Sequence, residues 1–203
     1  MSFAQSIAFS RITSIDIGKH SDPAALVSGY TEGPLFGVDR LSTFRTPRGQ
    51  NAAPWEEGLL DWIGPQGPDT MTVIDGSGTH RKTALFLANS PRIWGPAVVL
   101  QILAGPGTPS DPRILPAVKA EIIEAMLSSL YLVRVPKDLE NSEELRLQLA
   151  AYRRTNPEAE PHESPRYAAA AGFKDDLLMA LAQALWILPR LGRSYIPMAN
   201  ACG

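Results

Sequence analysis

The spacing of apolar residues changes repeatedly along this chain. Residues 11–17, RITSIDI, are rich in β-branched side chains and stop at Gly18. That predicts a strand carrying Asp16 to its end. Residues 24–30 and 35–44 read as two more strands, the second alternating between apolar and polar positions. Short turns separate the three, so they form an antiparallel meander. Residues 55–63 predict a short helix, and 70–75, TMTVID, a buried strand ending on Asp75. After the turn GSGTH come a short helix over 81–90 and a buried strand over 96–105. Residues 114–130 space apolar positions near 3.6 and predict a helix. A short strand over 131–136 follows, then an amphipathic helix over 142–154 opened by a capping Ser142. Residues 155–166 read as a loop, and 173–188 as a strongly apolar last helix.

This order gives an α/β class: a mixed β-sheet, antiparallel meander plus parallel strands, flanked by helices. The expected organisation is one domain over 1–203, with an ordered core at about 10–190 and a tail at 191–203. No apolar stretch nears the roughly 20 residues of a bilayer span, so the chain reads as soluble. The start lacks a secretory apolar core. Cys202 is the one cysteine, which excludes an internal disulfide and a cysteine zinc set and fits a reducing cytoplasm. Net charge is −2, so any nucleic-acid contact must come from local basic patches.

The chemistry candidates are carboxylates at element ends. Asp16 and Asp75 end strands; Asp175 and Asp176 open the last helix. Carboxylates gathered at one sheet edge repel each other, and a hard cation with oxygen preference removes that cost. Each has a plainer reading. Asp16 and Asp75 suit turns, and Asp175 and Asp176 suit a helix N-terminus. Asp22 reads as a turn residue. Arg40, Arg45 and Arg48 follow one another without an intervening acid, and Arg153, Arg154 and Arg166 flank the loop before the last helix. These are candidate phosphate contacts, or ordinary surface arginines. His20, His80 and His162 lack metal-site spacing and read as surface or turn residues. Trp55, Trp62, Trp94 and Trp186 read as packing residues. The string from Gly76 to Thr83 imitates a phosphate loop, but Arg81 stands where the second glycine must admit phosphate, which rejects it.

The segments EELRLQLAAYRR and PRYAAAAGFKDDLLMALAQALW resemble the end of the C-terminal nuclease domain of phage terminase large subunits. IDIGKHSDPAALV, TVIDGSGTH and VRVPKDLENSEELRLQL are similar to further segments of that family, in its order. The resemblance implies a ribonuclease H-like fold and a metal-dependent endonuclease acting on double-stranded viral DNA during packaging. It implies two Mg²⁺ or Mn²⁺ ions, with Asp16 as a bridging ligand, Asp75 as the second-strand ligand and Asp175 with Asp176 on the last helix. Lys174 stands where the family often has His, and could meet the scissile phosphate. The implied partners are duplex DNA, an N-terminal packaging ATPase domain, the small terminase subunit and the portal, with no membrane, in the host cell cytoplasm. No ATPase motif accompanies these segments, so the expectation is a nuclease domain alone, excised or free-standing. Alternatives stay open: a Holliday-junction resolvase or ribonuclease H-type enzyme, an actin-like ATPase or sugar-kinase half-domain, or a silent DNA-binding scaffold.

Overall fold

A computed structural model describes residues 9–18, 23–45, 55–104, 114–158 and 165–191. His20, Asp22, Arg48, His162 and Cys202 lie outside the described residues. The first elements are β1 (Arg11–Asp16), β2 (Ala24–Glu32), β3 (Leu35–Phe44), α1 (Trp55–Ile63), β4 (Thr70–Asp75), α2 (Arg81–Ala88) and β5 (Ala97–Leu103). Then come β6 (Ile114–Val118), α3 (Lys119–Ser129), β7 (Val133–Arg134), α4 (Ser142–Ala151), β8 (Tyr152–Arg154), β9 (Tyr167–Ala169) and α5 (Asp176–Leu191).

One seven-stranded sheet runs in the order β6-β5-β4-β1-β2-β3-β7. β1, β4, β5 and β6 are parallel neighbours, while β2 is antiparallel to both β1 and β3. The mixed sheet expected from the pattern is therefore present. Side-chain alternation divides its two faces. Ile12, Met71 and Val73 pack with α3 and α5 on one side. Ile15, Leu26 and Ile74 pack with α1 and α2 on the other. Asp16 shares the parity of Ile12, and Asp75 that of Val73. Both carboxylates thus belong to the α3–α5 face.

α5 is buried almost all round from Leu177 to Ile187, as a helix enclosed by sheet and neighbouring helices must be. It packs on β1 and β2 and beside α3 and α4. The same burial that stabilises it fixes where its N-terminus points.

Several expectations need correction. Residues 114–118 are strand β6, not helix. Pro116 cannot donate a helical hydrogen bond, yet an edge strand tolerates it, and among the described residues β6 pairs only with β5. Residues 152–154 leave the helix to pair with Tyr167–Ala169, forming a two-stranded hairpin. Ser142 is not the cap. Asn141 precedes α4 at φ 61°, and the Ser142 hydroxyl donates to the Lys137 carbonyl at 2.8 Å. The last helix starts at Asp176, three residues later than the pattern indicates. Trp94 is 75% exposed rather than packed. It precedes β5, at the edge opposite the aspartates. Trp186 is buried, and Trp55 and Trp62 flank Phe44 with ring centroids 5.4 and 5.5 Å away. Among the described residues, no helix is long and apolar enough to cross a membrane.

Candidate active site

Parallel pairing of β1 with β4 sets Ile15 opposite Ile74. The next residue on each strand is an aspartate, so Asp16 and Asp75 stand side by side at one sheet edge. Their side chains are hydrogen-bonded to each other. Burial pushes the Asp16 carboxyl well above its ordinary range, and the charges of Asp75, Asp176 and Asp175, in that order, push it further. Burial also raises Asp75. The Ser77 hydroxyl and backbone, Asp16 and His80 oppose that rise. Ser77 N–H donates to Asp75 Oδ1 at 2.8 Å, holding the carboxylate over the turn.

That turn is tightly built. Gly76 N–H donates to the Leu100 carbonyl at 2.7 Å, and the Ser77 hydroxyl accepts from Ile102 N–H at 2.7 Å. A Cβ on Gly76 would lie 2.5 Å from Val99 Cγ1, so only glycine fits without displacement.

α5 brings the other acids. The Asp175 carbonyl accepts the first helical bond, from Met179 N–H at 2.7 Å, which makes Asp175 the cap residue and Asp176 the first helical one. Buried Gln148 of α4 accepts from Leu178 N–H at 3.0 Å and satisfies another donor of the first turn. Asp176 Oδ2 is shut off from solvent. Asp175 Oδ2 lies 3.7 Å from Lys119 Nζ. All four predicted aspartates therefore converge on one edge.

The donor set is oxygen-only and densely negative, which fits a hard divalent cation such as Mg²⁺. Among the described residues, no three acidic or histidine side chains are arranged as a group that could hold one ion. Instead, Asp16 bonds Asp75, and Asp175 faces Lys119.

The basic candidates are dispersed. Arg40 is committed elsewhere: its guanidinium donates to the Ile63 carbonyl at 2.8 Å and to the Trp62 carbonyl, closing the end of α1. Arg45 is exposed just beyond β3, whose Thr43 pairs with Ala25, the partner of Asp16. It is thus on the acidic edge, two strands away. Arg153 and Arg154 are exposed on β8, and Arg166 is exposed beside β9, in the hairpin that leads into α5. Lys174 is half-buried next to Asp175.

Sequence reasoning misses three residues at this site. His80 reads as a surface or turn residue, but it is half-buried and its charge acts on Asp75. Lys119 reaches Asp175, and Gln148 the first turn of α5, only through tertiary packing. The sole signal in the sequence is the capping demand of α5, which requires some acceptor without naming it.

The mixed sheet order with its flanking helices defines a ribonuclease H-like fold. Solved structures similar to this chain include large terminase nucleases. The magnesium-bound large terminase nuclease of thermophilic phage G20c has a TM-score of 0.56 at 16% identity, covering 86% of this chain and 79% of that one. A second structure of that nuclease gives 0.50 at 15% identity, covering 86% and 80%. The large terminase of another thermophilic bacteriophage gives 0.56 at 12% identity over 89% of this chain, which spans 40% of that larger protein. No family model and no curated protein sequence matches the chain.

Proposed function

We propose that this chain is a divalent-metal-dependent endonuclease domain that cuts double-stranded DNA during viral genome packaging. The observation that carries this reading is the convergence of Asp16, Asp75, Asp175 and Asp176 at one edge of a sheet shared with terminase nucleases. One of those nucleases was crystallised with bound magnesium.

Asp16, Asp75 and Asp176 would hold the metal. Asp176, whose Oδ2 is shut off from solvent, is favoured over Asp175 as the helix ligand, because Asp175 faces Lys119. Two bound ions, Mg²⁺ or Mn²⁺, would lower the pKa of the attacking water and stabilise the leaving 3′ oxygen of an in-line displacement. The chain supplies the rest. A ligating carboxylate must be ionised, so metal loading would release the protons that burial favours at Asp16 and Asp75. Ser77 N–H keeps Asp75 oriented, and Gln148 keeps the first turn of α5 in place. Arg45, Arg153, Arg154, Arg166 and Lys174 would neutralise phosphates around the acids, with Arg48 following Arg45 in the chain. Arg40 is left out, because its donors already serve α1.

A panel of linear duplex, four-way junction and RNA–DNA hybrid tests the substrate class in Mg²⁺. Cleavage of the linear duplex supports the packaging-nuclease reading. Cutting confined to the junction or the hybrid would replace it with a resolvase or ribonuclease H reading. A packaging ATPase, small subunit and portal as partners belong to the same proposal. Loss of packaging when the domain is deleted from its native context would test them.

A further inference from the structure

Lys119 stands where helix stability alone would not put it. It is the first residue of α3 and follows β6 at the same sheet edge as Asp16 and Asp75. A cation in the first helical turn opposes the helix dipole. Its side chain is 39% exposed, and its ammonium sits 3.7 Å from Asp175 Oδ2 and 5.9 Å from the centroid of the Tyr152 ring. At 3.7 Å the ion pair is longer than a hydrogen bond, and an exposed pair of that kind contributes little to stability. Asp175 therefore holds Lys119 loosely. The ring of Tyr152 flanks it on the hairpin strand that also bears Arg153 and Arg154.

We propose that Lys119 is a substrate-binding residue, which exchanges Asp175 for a phosphate of the DNA backbone when duplex enters the acidic centre. This rests on the nuclease reading above and adds to it a cation that no sequence signal marks. Four aspartates repel a phosphodiester, and Lys119 is placed to offset that repulsion beside the helix cap. The exchange makes and breaks only ionic contacts.

The test compares wild type with K119M and K119R. Duplex affinity is measured across a salt series with Ca²⁺ in place of Mg²⁺, and cleavage is measured in Mg²⁺. K119M should weaken binding several-fold at low salt and reduce the salt slope by about 0.9, the share of one phosphate contact. It should raise KM with kcat little changed, the mark of lost uniform binding. K119R should restore most of both. If K119M does not fold, K119Q takes its place. An unchanged salt slope and KM, with only thermal stability altered, would mean that Lys119 is a structural clamp, and the inference would be overturned while the nuclease reading stood. If wild type neither bound nor cut duplex DNA, the nuclease reading would fall and this inference with it.

Discussion

Asp16 and Asp75 share a hydrogen bond at the ends of adjacent parallel strands. In the metal-free protein this bond tempers a repulsion that burial has made severe. Burial and the neighbouring acids raise the Asp16 carboxyl well above its ordinary range.

Stability should reflect the proton that the raised Asp16 carboxyl retains. The folded state keeps it at a pH where the unfolded chain, with an ordinary aspartate, has released it. The folded state then binds more protons, so metal-free stability should fall as pH rises from the ordinary carboxylate range through the raised one. Asn at this position cannot ionise. D16N should flatten the decline and raise the metal-free melting temperature at neutral pH. Melting curves in EDTA, taken upward in pH from the ordinary carboxylate range, check this. A wild-type stability that rises steadily across that range would contradict it.

Mg²⁺ should reverse the trend in the wild type. A ligand that binds only the folded state stabilises it by mass action, and ionised carboxylates bind it better as pH rises. The melting temperature should climb with Mg²⁺ concentration at about pH 8 and much less at about pH 5, where fewer carboxylates are ionised. D16N should lose most of this response. An equal response in D16N would remove Asp16 from the ligand set.

The turn after Asp75 should be intolerant of a single methyl group. G76A places Cβ against Val99 Cγ1, and such overpacking typically costs about 1–3 kcal/mol. Chemical denaturation should show that loss. The displaced turn should also weaken the Ser77–Asp75 bond and reduce cleavage in Mg²⁺ beyond the loss of folded protein. A G76A protein of wild-type stability would show that the turn relaxes freely.

Gln148 and Arg40 separate support from contact. Q148L leaves a buried N–H at the start of α5 without its acceptor, at about 1–3 kcal/mol. Activity should fall with it, because that turn carries Asp176. R40M should cost about 1–2 kcal/mol by leaving the end of α1 unclosed, yet leave the salt slope of DNA binding unchanged. A reduced slope in R40M would restore Arg40 as a phosphate contact.

Much of the scaffold is legible from the apolar pattern. β3, α1 and β4 have the bounds their periodicity implies, since each is buried on a constant face or in both directions. Legibility fails where a distant segment decides the outcome. Residues 114–118 lead up to the helical spacing that begins at Val118 and instead pair with β5. Tyr152–Arg154 leave their helix because Tyr167–Ala169 supply a partner. The four aspartates are readable as element ends, which is a local property. That Asp175 faces Lys119, or that His80 acts on Asp75, depends on packing between elements far apart in the chain or on a turn that folds back. No local spacing encodes such contacts.

The central claim is that the aspartates at this sheet edge cut DNA with divalent metal. Cleavage of supercoiled plasmid by wild type and D16N, each in Mg²⁺ and in EDTA, tests it most directly. Circular dichroism should first show that D16N keeps its fold. The account predicts nicked and linear products from wild type in Mg²⁺ only, and none from D16N. Cleavage by D16N at the wild-type rate, or by wild type in EDTA, would contradict it.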